Sequence, residues 1–172
     1  MTSPSIVRKA IPADRESIWD LFRILHRENG VFNLSENKIN WLLDRILYPE
    51  DISEGDMGVR GFMGVIGPVN KLEGFILITL GSFWYSDDIM LEEYANFVHP
   101  DHRKSNHAKV LISYSRHLSD EIGIPLVIGI ISNFKTAEKV RFYRRQRLPE
   151  AGAFFIYNSD SFGAKGSSNV QR

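Results

Sequence analysis

The spacing of apolar residues predicts a strand and two amphipathic helices in the first third of the chain. Residues 6–10 open with two β-branched side chains and are typical of a short strand. Apolar side chains then recur every three or four positions between Pro12 and Gly30, and again between Ser35 and Pro49. Because a serine hydroxyl can accept from the first amides of a helix, we expect Ser35 to cap the second helix.

Three strand-like runs follow and predict an antiparallel meander. Residues 59–66 and 72–83 are rich in apolar and β-branched side chains, and the Gly-Pro-Val-Asn sequence between them predicts a hairpin. A third run, residues 90–98, ends before Pro100, which lacks the N–H group needed to continue a ladder.

The second half of the chain predicts a crossover to a parallel strand. Apolar side chains at helical spacing between Val110 and Leu118 precede a continuous apolar run, residues 126–131, that is typical of a buried strand. A further helix over residues 135–146 and a last strand over residues 153–157 complete the pattern. The prediction is a mixed α/β fold, with a mostly antiparallel central sheet, one parallel strand pair and flanking helices.

Length and composition narrow the class of protein. The chain has 172 residues, no cysteine and a formal net charge of zero. We expect one domain over residues 1–157 and a flexible Gly/Ser-rich tail over residues 158–172. Without cysteine, a disulfide framework, a thiolate metal site and a cysteine nucleophile are excluded. Neither a secretory signal nor a membrane-spanning run is present, so we expect a cytoplasmic protein with no membrane partner.

The polar turn at residues 99–107 separates the third strand of the meander from the next helix. A chain that leaves a strand and enters a helix presents several amides in one direction, and the helix dipole adds positive charge there. The amides of residues 103–108 could therefore hold a pyrophosphate, with Arg103 or Lys104 adding charge. An exposed polar connection with no ligand explains the same residues.

A metal site would need the three histidines of this turn, His99, His102 and His107, to converge. Asp101 is the nearest carboxylate in the sequence. Side chains at these spacings in a turn need not face one point, and we predict no metal site.

A nucleic-acid interface is a third interpretation, and it rests on residues 134–147. Six basic residues there interleave with Phe134, Phe142 and Tyr143, as in surfaces on which bases stack. On a helix the basic residues spread around much of the circumference, and the net charge is zero. A solvated helix face is therefore favoured, and we do not expect a nucleic-acid partner.

Two motifs in the second half resemble those of the GNAT superfamily of N-acetyltransferases. The first motif of the family begins with a strand that ends in Val-x-Pro, and residues 98–100 are similar. It continues with Arg/Gln-x-x-Gly-x-Gly/Ala, which residues 103–108 resemble, and with a leucine in the following helix, which corresponds to Leu111. Asn133, Ala137 and Tyr143 resemble a second motif of the family, and Glu73 to Ile78, with Gly74, resembles its third strand. Two residues depart from the family pattern, since Asn106 and Arg147 stand where it has glycine.

The resemblance implies that acetyl-CoA is a co-substrate and that the protein is an acyltransferase acting on a primary amine. The pantetheine arm would lie along the third meander strand where it splays from the parallel strand, and a backbone amide there would hold the thioester carbonyl. The pyrophosphate would meet the amides of the following turn. The implied cofactor-binding residues are Asn96, Phe97, Val98, Arg103, Lys104, Ser105, Asn106, His107, Ala108 and Asn133.

Two residues are candidates for acid and base catalysis. The resemblance implies that Tyr143 protonates the departing CoA thiolate. Glu92 is our first choice of base, because strand alternation would put it on the same face as Asn96 and some family members have a catalytic glutamate there. Glu93 would then face the opposite side. An exposed strand carboxylate explains Glu92 equally well, and a tyrosine packed at a helix end is the alternative for Tyr143.

Two other functions stay open. One is a regulatory module that binds acyl-CoA without turnover, and the other is a nucleic-acid-binding protein that uses residues 135–147. The sequence does not specify the acceptor, which could be an antibiotic, a polyamine, an amino acid, a peptide amine or a protein lysine. Acidic residues in segments 48–56 and 85–93 could attract a cationic acceptor, but solvated loops and strand ends are the favoured interpretation. Dimers are frequent in the family, so a homodimer also stays open.

Overall fold

The computed structural model describes residues 6–51 and 60–157. Its elements follow the predicted order, and several are shorter than predicted. They are β1 Arg8–Lys9, α1 Arg15–Asn29, α2 Glu36–Leu47, β2 Gly61–Ile66, β3 Gly74–Gly81, β4 Met90–Val98, α3 His107–Ile122, β5 Leu126–Ile128 and α4 Thr136–Arg145. The predicted tail at residues 158–172, the predicted start of β2 at Val59 and the acidic segment 52–56 lie outside the described residues.

The chain forms two compact units. The first comprises Met1–Phe22 and Glu36–Gly129, and it contains the sheet together with α2 and α3. The second comprises Arg23–Ser35 and Ile130–Arg172, and it contains α4. The predicted domain boundary at residue 157 stays a prediction.

One five-stranded sheet organises the first unit, with its strands in the order β1-β2-β3-β4-β5. Strands β1 to β4 pair antiparallel as a meander, and β5 pairs parallel with β4. This confirms the predicted mixed α/β fold. The predicted last strand at residues 153–157 is wrong, since the described chain forms no strand there and Phe155 and Tyr157 are 93% and 95% exposed. A strand needs a partner for its backbone groups, and apolar side chains alone do not supply one.

Helices cover both faces of the sheet. A Cβ atom on Gly64 would lie 2.8 Å from the ring of Tyr114, so α3 packs over this face where only glycine leaves room. On the opposite face Phe22 of α1 packs against Phe75, with ring centroids 4.8 Å apart. Side chains alternate along a strand and directly paired residues share a face, so the register assigns every residue of β3 and β4 to one of these two sides.

Strand β4 contains a bulge at Tyr94. Leu77 pairs with Ala95 whereas Ile78 pairs with Glu93, so Tyr94 has no partner on β3. The additional residue reverses the alternation of side chains between the two halves of β4.

A partly buried ion pair between Arg8 and Asp14 fixes the entry into α1. The carboxylate of Asp14 is fully buried and accepts two hydrogen bonds of 2.7 Å from Arg8 and one of 3.0 Å from the Ile11 N–H. Burial alone would raise the pKa of this carboxyl, but the bonds from Arg8 and Ile11 outweigh it and the pKa is lowered. The charged form of Asp14 therefore stabilises the fold.

Polar contacts organise the second unit. The ammonium group of Lys139 and the hydroxyl of Ser132 both donate to Oδ1 of Asn29, at 2.5 and 3.1 Å. These bonds join α4 and the segment before it to the end of α1. In the described ranges, no helix is long and apolar enough to cross a membrane.

Candidate functional site

Strand β4 loses its outer partner halfway along its length. β5 pairs only with residues 91–93, whereas β4 continues to Val98. Beyond the Tyr94 bulge, the edge of β4 that faces away from β3 pairs with no strand in the described part of the chain. Such an edge presents N–H and C=O groups that can pair with an extended ligand. The predicted residues Asn96, Phe97 and Val98 lie on this open edge.

The side chain of Asn96 lies on the α3 face. Asn96 pairs with Ile76, and so does Gly64 from the other side of β3. The amide oxygen of Asn96 is buried and has no hydrogen-bond partner among the described residues. A buried acceptor without a donor marks a place for a water molecule or a ligand group.

The turn that follows β4 is held by its own hydrogen bonds. The Ser105 N–H donates to the His102 carbonyl at 3.0 Å, and the His107 N–H donates to the Ser105 hydroxyl at 3.2 Å. Ser105 therefore satisfies the first amide of α3, a role that the sequence analysis did not assign. Asn106, at the N-cap position, makes no cap bond with its side chain and has φ −90° and ψ 9°. Any residue can adopt these angles, so the backbone does not require glycine at Asn106.

Positive charge and unpaired amides meet where the open edge of β4 ends. The amides of Lys104 and Ala108 have no acceptor among the residues described. The Nε of Arg103 donates to the Val98 carbonyl at 3.4 Å, and its guanidinium lies 5.6 Å from the ring centroid of Phe97. Together with the N-terminus of the 16-residue helix α3, these groups can bind an anion.

Glu73, just before β3, anchors this turn. Its Oε2 lies 2.6 Å from Nε2 of His107 and 3.5 Å from Nδ1 of His102, and the two histidine rings stack with centroids 5.9 Å apart. The ligand atoms of these three residues lie within 4.8 Å of one another, so the group has the composition of a metal site. The contact between Glu73 and His107 already pairs the buried ring without an ion. His99 does not belong to this group: its Nδ1 accepts from the Asp101 N–H at 3.3 Å, and its ring lies edge-on to that of His102 with centroids 6.1 Å apart.

The two neighbouring carboxylates of β4 lie on opposite faces of the sheet. Glu92 pairs with Thr79 and Asn96 pairs with Ile76, and these partners are three residues apart on β3. The prediction that Glu92 and Asn96 share a face is therefore wrong, because the bulge inserts one residue between them. Glu92 is half-buried on the face covered by α1 and α2, whereas Glu93 is buried on the face of Asn96.

The remaining predicted residues belong to the second unit. The side chain of Asn133 donates to the Gly30 carbonyl at 2.7 Å. Tyr143 is half-buried near the end of α4, with its ring edge-on to Phe142 at 5.3 Å between centroids. Arg147 has φ 60°, in the left-handed region that glycine adopts most easily. This is the second position at which the family motif has glycine.

Several basic residues of α4 are paired within the second unit. Arg144 makes a bidentate contact with Glu150 at 2.8 and 2.9 Å, and Arg141 lies 3.6 Å from Glu138. Lys139 donates to Asn29. Cations that already have carboxylate or amide partners leave less charge for a phosphate backbone.

Comparisons with known proteins identify the fold. No family model matches the chain. The chain resembles AAC(6')-Iy in complex with the bisubstrate analogue CoA-S-monomethyl-acetylneamine, with a TM-score of 0.65, 15% identity, and 91% and 98% of the two chains covered. A GNAT family acetyltransferase of Staphylococcus aureus gives a TM-score of 0.56 with 16% identity and 88% and 97% coverage. The chain has the GNAT fold.

Two further acetyltransferases are similar to the chain. An aminoglycoside acetyltransferase from an uncultured soil metagenomic sample matches with a TM-score of 0.60 and 17% identity over 89% of this chain and 95% of that one. An amino-acid acetyltransferase of Vibrio vulnificus is 24% identical over 152 residues, which make up 88% of this chain and 28% of that protein. The chain thus spans less than a third of the curated relatives it matches.

The GNAT fold brings together residues that sequence reasoning did not connect. Glu73 lies 34 positions before His107, and no local pattern signals their contact. The bulge at Tyr94 has no composition signal either, since it is defined only by its register with β3. The role of Ser105 could have been found, because a serine hydroxyl in a polar turn commonly accepts from the amide two residues on.

Proposed function

We propose that the protein transfers the acetyl group of acetyl-CoA to a primary amine. The proposal rests on one observation: the open edge of β4 leads directly into the turn before α3, and that turn can bind an anion. The edge suits an extended chain of amides such as pantetheine, and the turn suits a pyrophosphate. The similarity to the fold of a protein bound to a CoA bisubstrate analogue supports the same ligand.

We assign binding of acetyl-CoA to the open edge of β4, to the turn before α3 and to the charged side chains beside that turn. Backbone groups of Asn96, Phe97 and Val98 pair with the pantetheine arm. The amides of Lys104 and Ala108, with the side chains of Arg103 and Lys104, receive the pyrophosphate. Ser105, Asn106 and His107 shape the turn. The motif match adds Asn133 of the second unit.

The chemistry needs a base, an oxyanion donor and an acid. An ammonium with a pKa of about 10.4 is almost entirely charged at pH 7, so a proton must leave before the nitrogen can attack. Glu92 accepts this proton. The nitrogen then attacks the thioester carbon, while the amide of Asn96 or Phe97 donates to the carbonyl oxygen. As the carbon–sulfur bond breaks, Tyr143 protonates the CoA thiolate.

The acceptor is proposed to be cationic. The loop between β3 and β4 exposes Asp87 and Asp88 next to Trp84, which is 94% exposed. Carboxylates attract an ammonium group, and an indole face binds one by cation–π attraction. Aminoglycosides and amino acids, named for two similar proteins, both carry amines of this kind.

The test combines a binding assay with a turnover assay on the purified chain. Acetyl-CoA at a hundredfold excess over its dissociation constant should stabilise the protein by about 2.7 kcal/mol, or roughly 5–10 °C in melting temperature. AMP and pyrophosphate serve as controls. Release of CoA should then be followed with a panel of primary amines, including an aminoglycoside, spermidine and amino acids.

Two variants assign the roles within turnover. Glu92→Gln and Tyr143→Phe should each lower kcat about 10²-fold while leaving acetyl-CoA affinity within about twofold. Full activity of either variant would remove that residue from the mechanism. Binding of acetyl-CoA without CoA release from any amine would favour the regulatory module. Absence of a thermal shift, with salt-dependent retention of RNA or DNA, would favour the nucleic-acid interface.

A further inference from the structure

Thr79 of β3 has a buried hydroxyl group with no protein partner. The residue is 1% exposed, and its Oγ1 has no hydrogen-bond partner in the described ranges 6–51 and 60–157. Thr79 pairs with Gly61 of β2, and Ile46 of α2 lies 3.3 Å from the position that a Cβ on Gly61 would occupy, so the Thr79 side chain lies on the face covered by α1 and α2. Almost all buried hydroxyls in proteins have a partner, so one without a partner indicates a water molecule or a ligand.

Glu92 is the polar residue nearest to this hydroxyl in the register. Thr79 and Glu92 are paired directly across β3 and β4, which sets their Cβ atoms about 5 Å apart on one face. Oε2 of Glu92 also lies 3.4 Å from the position that a Cβ on Gly81 would occupy, so the carboxylate extends over this part of β3. A water molecule between the two side chains can accept from the hydroxyl and donate to the carboxylate.

We propose that Thr79 is a positioning residue that holds a water molecule against the Glu92 carboxylate, and that this water relays the proton of the acceptor amine. The inference rests on the proposed acetyl transfer with Glu92 as base. The ammonium N–H bond breaks as its proton passes to the water. The water simultaneously gives one of its own protons to Glu92, so its composition is unchanged. The neutral nitrogen keeps its electron pair for attack on the thioester carbon.

The choice of threonine supports a role beyond packing. Valine has the same shape, is at least as favourable in a strand and would need no partner in an apolar core. A hydroxyl at this position without a partner in the protein therefore lowers stability relative to valine. Residues that cost stability in this way are expected where function requires them.

The test compares the Thr79→Val variant with Thr79→Ser. It also compares it with a variant that removes a buried hydroxyl whose hydrogen-bond acceptor lies within the protein. Ser115 of α3 is fully buried and donates to the Ile112 carbonyl at 2.8 Å, so Ser115→Ala is the matched control. Melting temperature, kcat and KM for the best amine of the panel, and a high-resolution crystal structure of each protein are measured. The crystal structure reports the water directly and does not depend on activity.

We expect the Thr79→Val protein to melt at the wild-type temperature or about 2–4 °C above it, whereas Ser115→Ala should melt lower. In Thr79→Val, kcat should fall about tenfold with KM for the amine unchanged, and Thr79→Ser should recover most of the rate. The wild-type crystal structure should contain a water within hydrogen-bond distance of Thr79 Oγ1 and the Glu92 carboxylate, and Thr79→Val should lack it.

Three results would overturn the proposal. A melting temperature of Thr79→Val that falls as far as that of Ser115→Ala would mean that the hydroxyl donates to a protein group and holds no water. A raised KM for the amine with unchanged kcat would mean that the hydroxyl contacts the amine directly and holds no water that relays its proton. Wild-type kinetics in Thr79→Val would exclude any role in turnover. If the wild-type protein itself releases no CoA with any amine, the proposed function fails and the relay with it. The crystal structure would still decide whether the water exists.

Discussion

Replacing Glu73 by alanine should loosen the turn that precedes α3. The Glu73 carboxylate lies 2.6 Å from the ring nitrogen of His107, whose side chain is 8% exposed, and 3.5 Å from that of His102. Glu73 stands at the start of β3, so the contact ties the first residue of α3 to the sheet. Its removal leaves a buried imidazole nitrogen without its partner.

The cost can be estimated from the burial of the two partners. A hydrogen bond to a charged group contributes about 1.5–3 kcal/mol, and an unsatisfied buried group costs its full desolvation. Because the Glu73 side chain is 28% exposed, water can replace part of the interaction. We therefore expect a loss of about 2 kcal/mol, which is roughly 4–8 °C in melting temperature for a chain of this length.

A matched pair elsewhere in α3 provides the control. His117 and Glu121 make the same kind of contact at 3.2 Å, but their side chains are 67% and 59% exposed. Glu121→Ala should therefore cost no more than about 0.5 kcal/mol. Urea unfolding of the wild type and both variants measures the difference in free energy of unfolding, and Glu73→Gln, which keeps an acceptor oxygen, should fall between them.

The same variants test whether the turn serves the cofactor. Calorimetric titration with acetyl-CoA should give a dissociation constant about tenfold higher for Glu73→Ala, because binding must then order the turn. Glu121→Ala should bind as the wild type does. Equal free energies of unfolding for the two alanine variants would refute the estimate from burial. Unchanged acetyl-CoA affinity in a destabilised Glu73→Ala protein would separate this contact from the binding site.

Two further substitutions probe the two units separately. Asp14→Asn removes a charge whose pKa is lowered in the fold, so it should cost about 2–3 kcal/mol at pH 5–8. The difference from wild type should begin to fall below about pH 4, and it should be lost as the pH passes through the lowered pKa of the native Asp14 carboxyl. Urea unfolding at several pH values would contradict this if the difference stayed constant to about pH 2.5. Arg147→Gly should raise stability by about 0.5–1 kcal/mol because φ at this position is 60°, whereas Arg145→Gly within α4 should lower it by a similar amount. Equal effects of the two glycines on the melting temperature would refute the assignment to backbone strain.

Most of the fold follows from local sequence patterns. The meander, the crossover helix and the parallel strand were predicted because each has a hydrophobic period of its own and a turn residue at its end. β4 was predicted with its observed bounds, Met90–Val98, since Pro100 stops the ladder. The predicted strand at residues 153–157 was wrong because a local pattern was trusted where it is not sufficient. That segment is apolar, but a strand also depends on a partner that no local pattern specifies.

The site was predicted less completely than the fold. Motif spacing located the end of β4 and the turn before α3, and the role of both in binding acetyl-CoA stays a prediction. The relative orientation of Glu92 and Asn96 was wrong because sequence alternation assumes an uninterrupted strand. The Glu73–His107 contact and the unpartnered Thr79 hydroxyl depend on which strands are neighbours. Such relations follow from register, and a single sequence without a structure does not contain it.

The bulge at Tyr94 accounts for both unusual features of β4. Before it, β4 is paired on both edges and carries Glu92 toward the face of α1 and α2. After it, the outer edge is open and Asn96 turns toward α3. The proposed base and the proposed oxyanion donor lie four positions apart, a span of about 13 Å in an extended strand and less across a bulge. A regular strand would place both side chains on one face and would give the parallel strand no structural reason to stop pairing. One inserted residue thus lets a single strand offer an open edge to the proposed ligand and direct a carboxylate to the other side of the sheet.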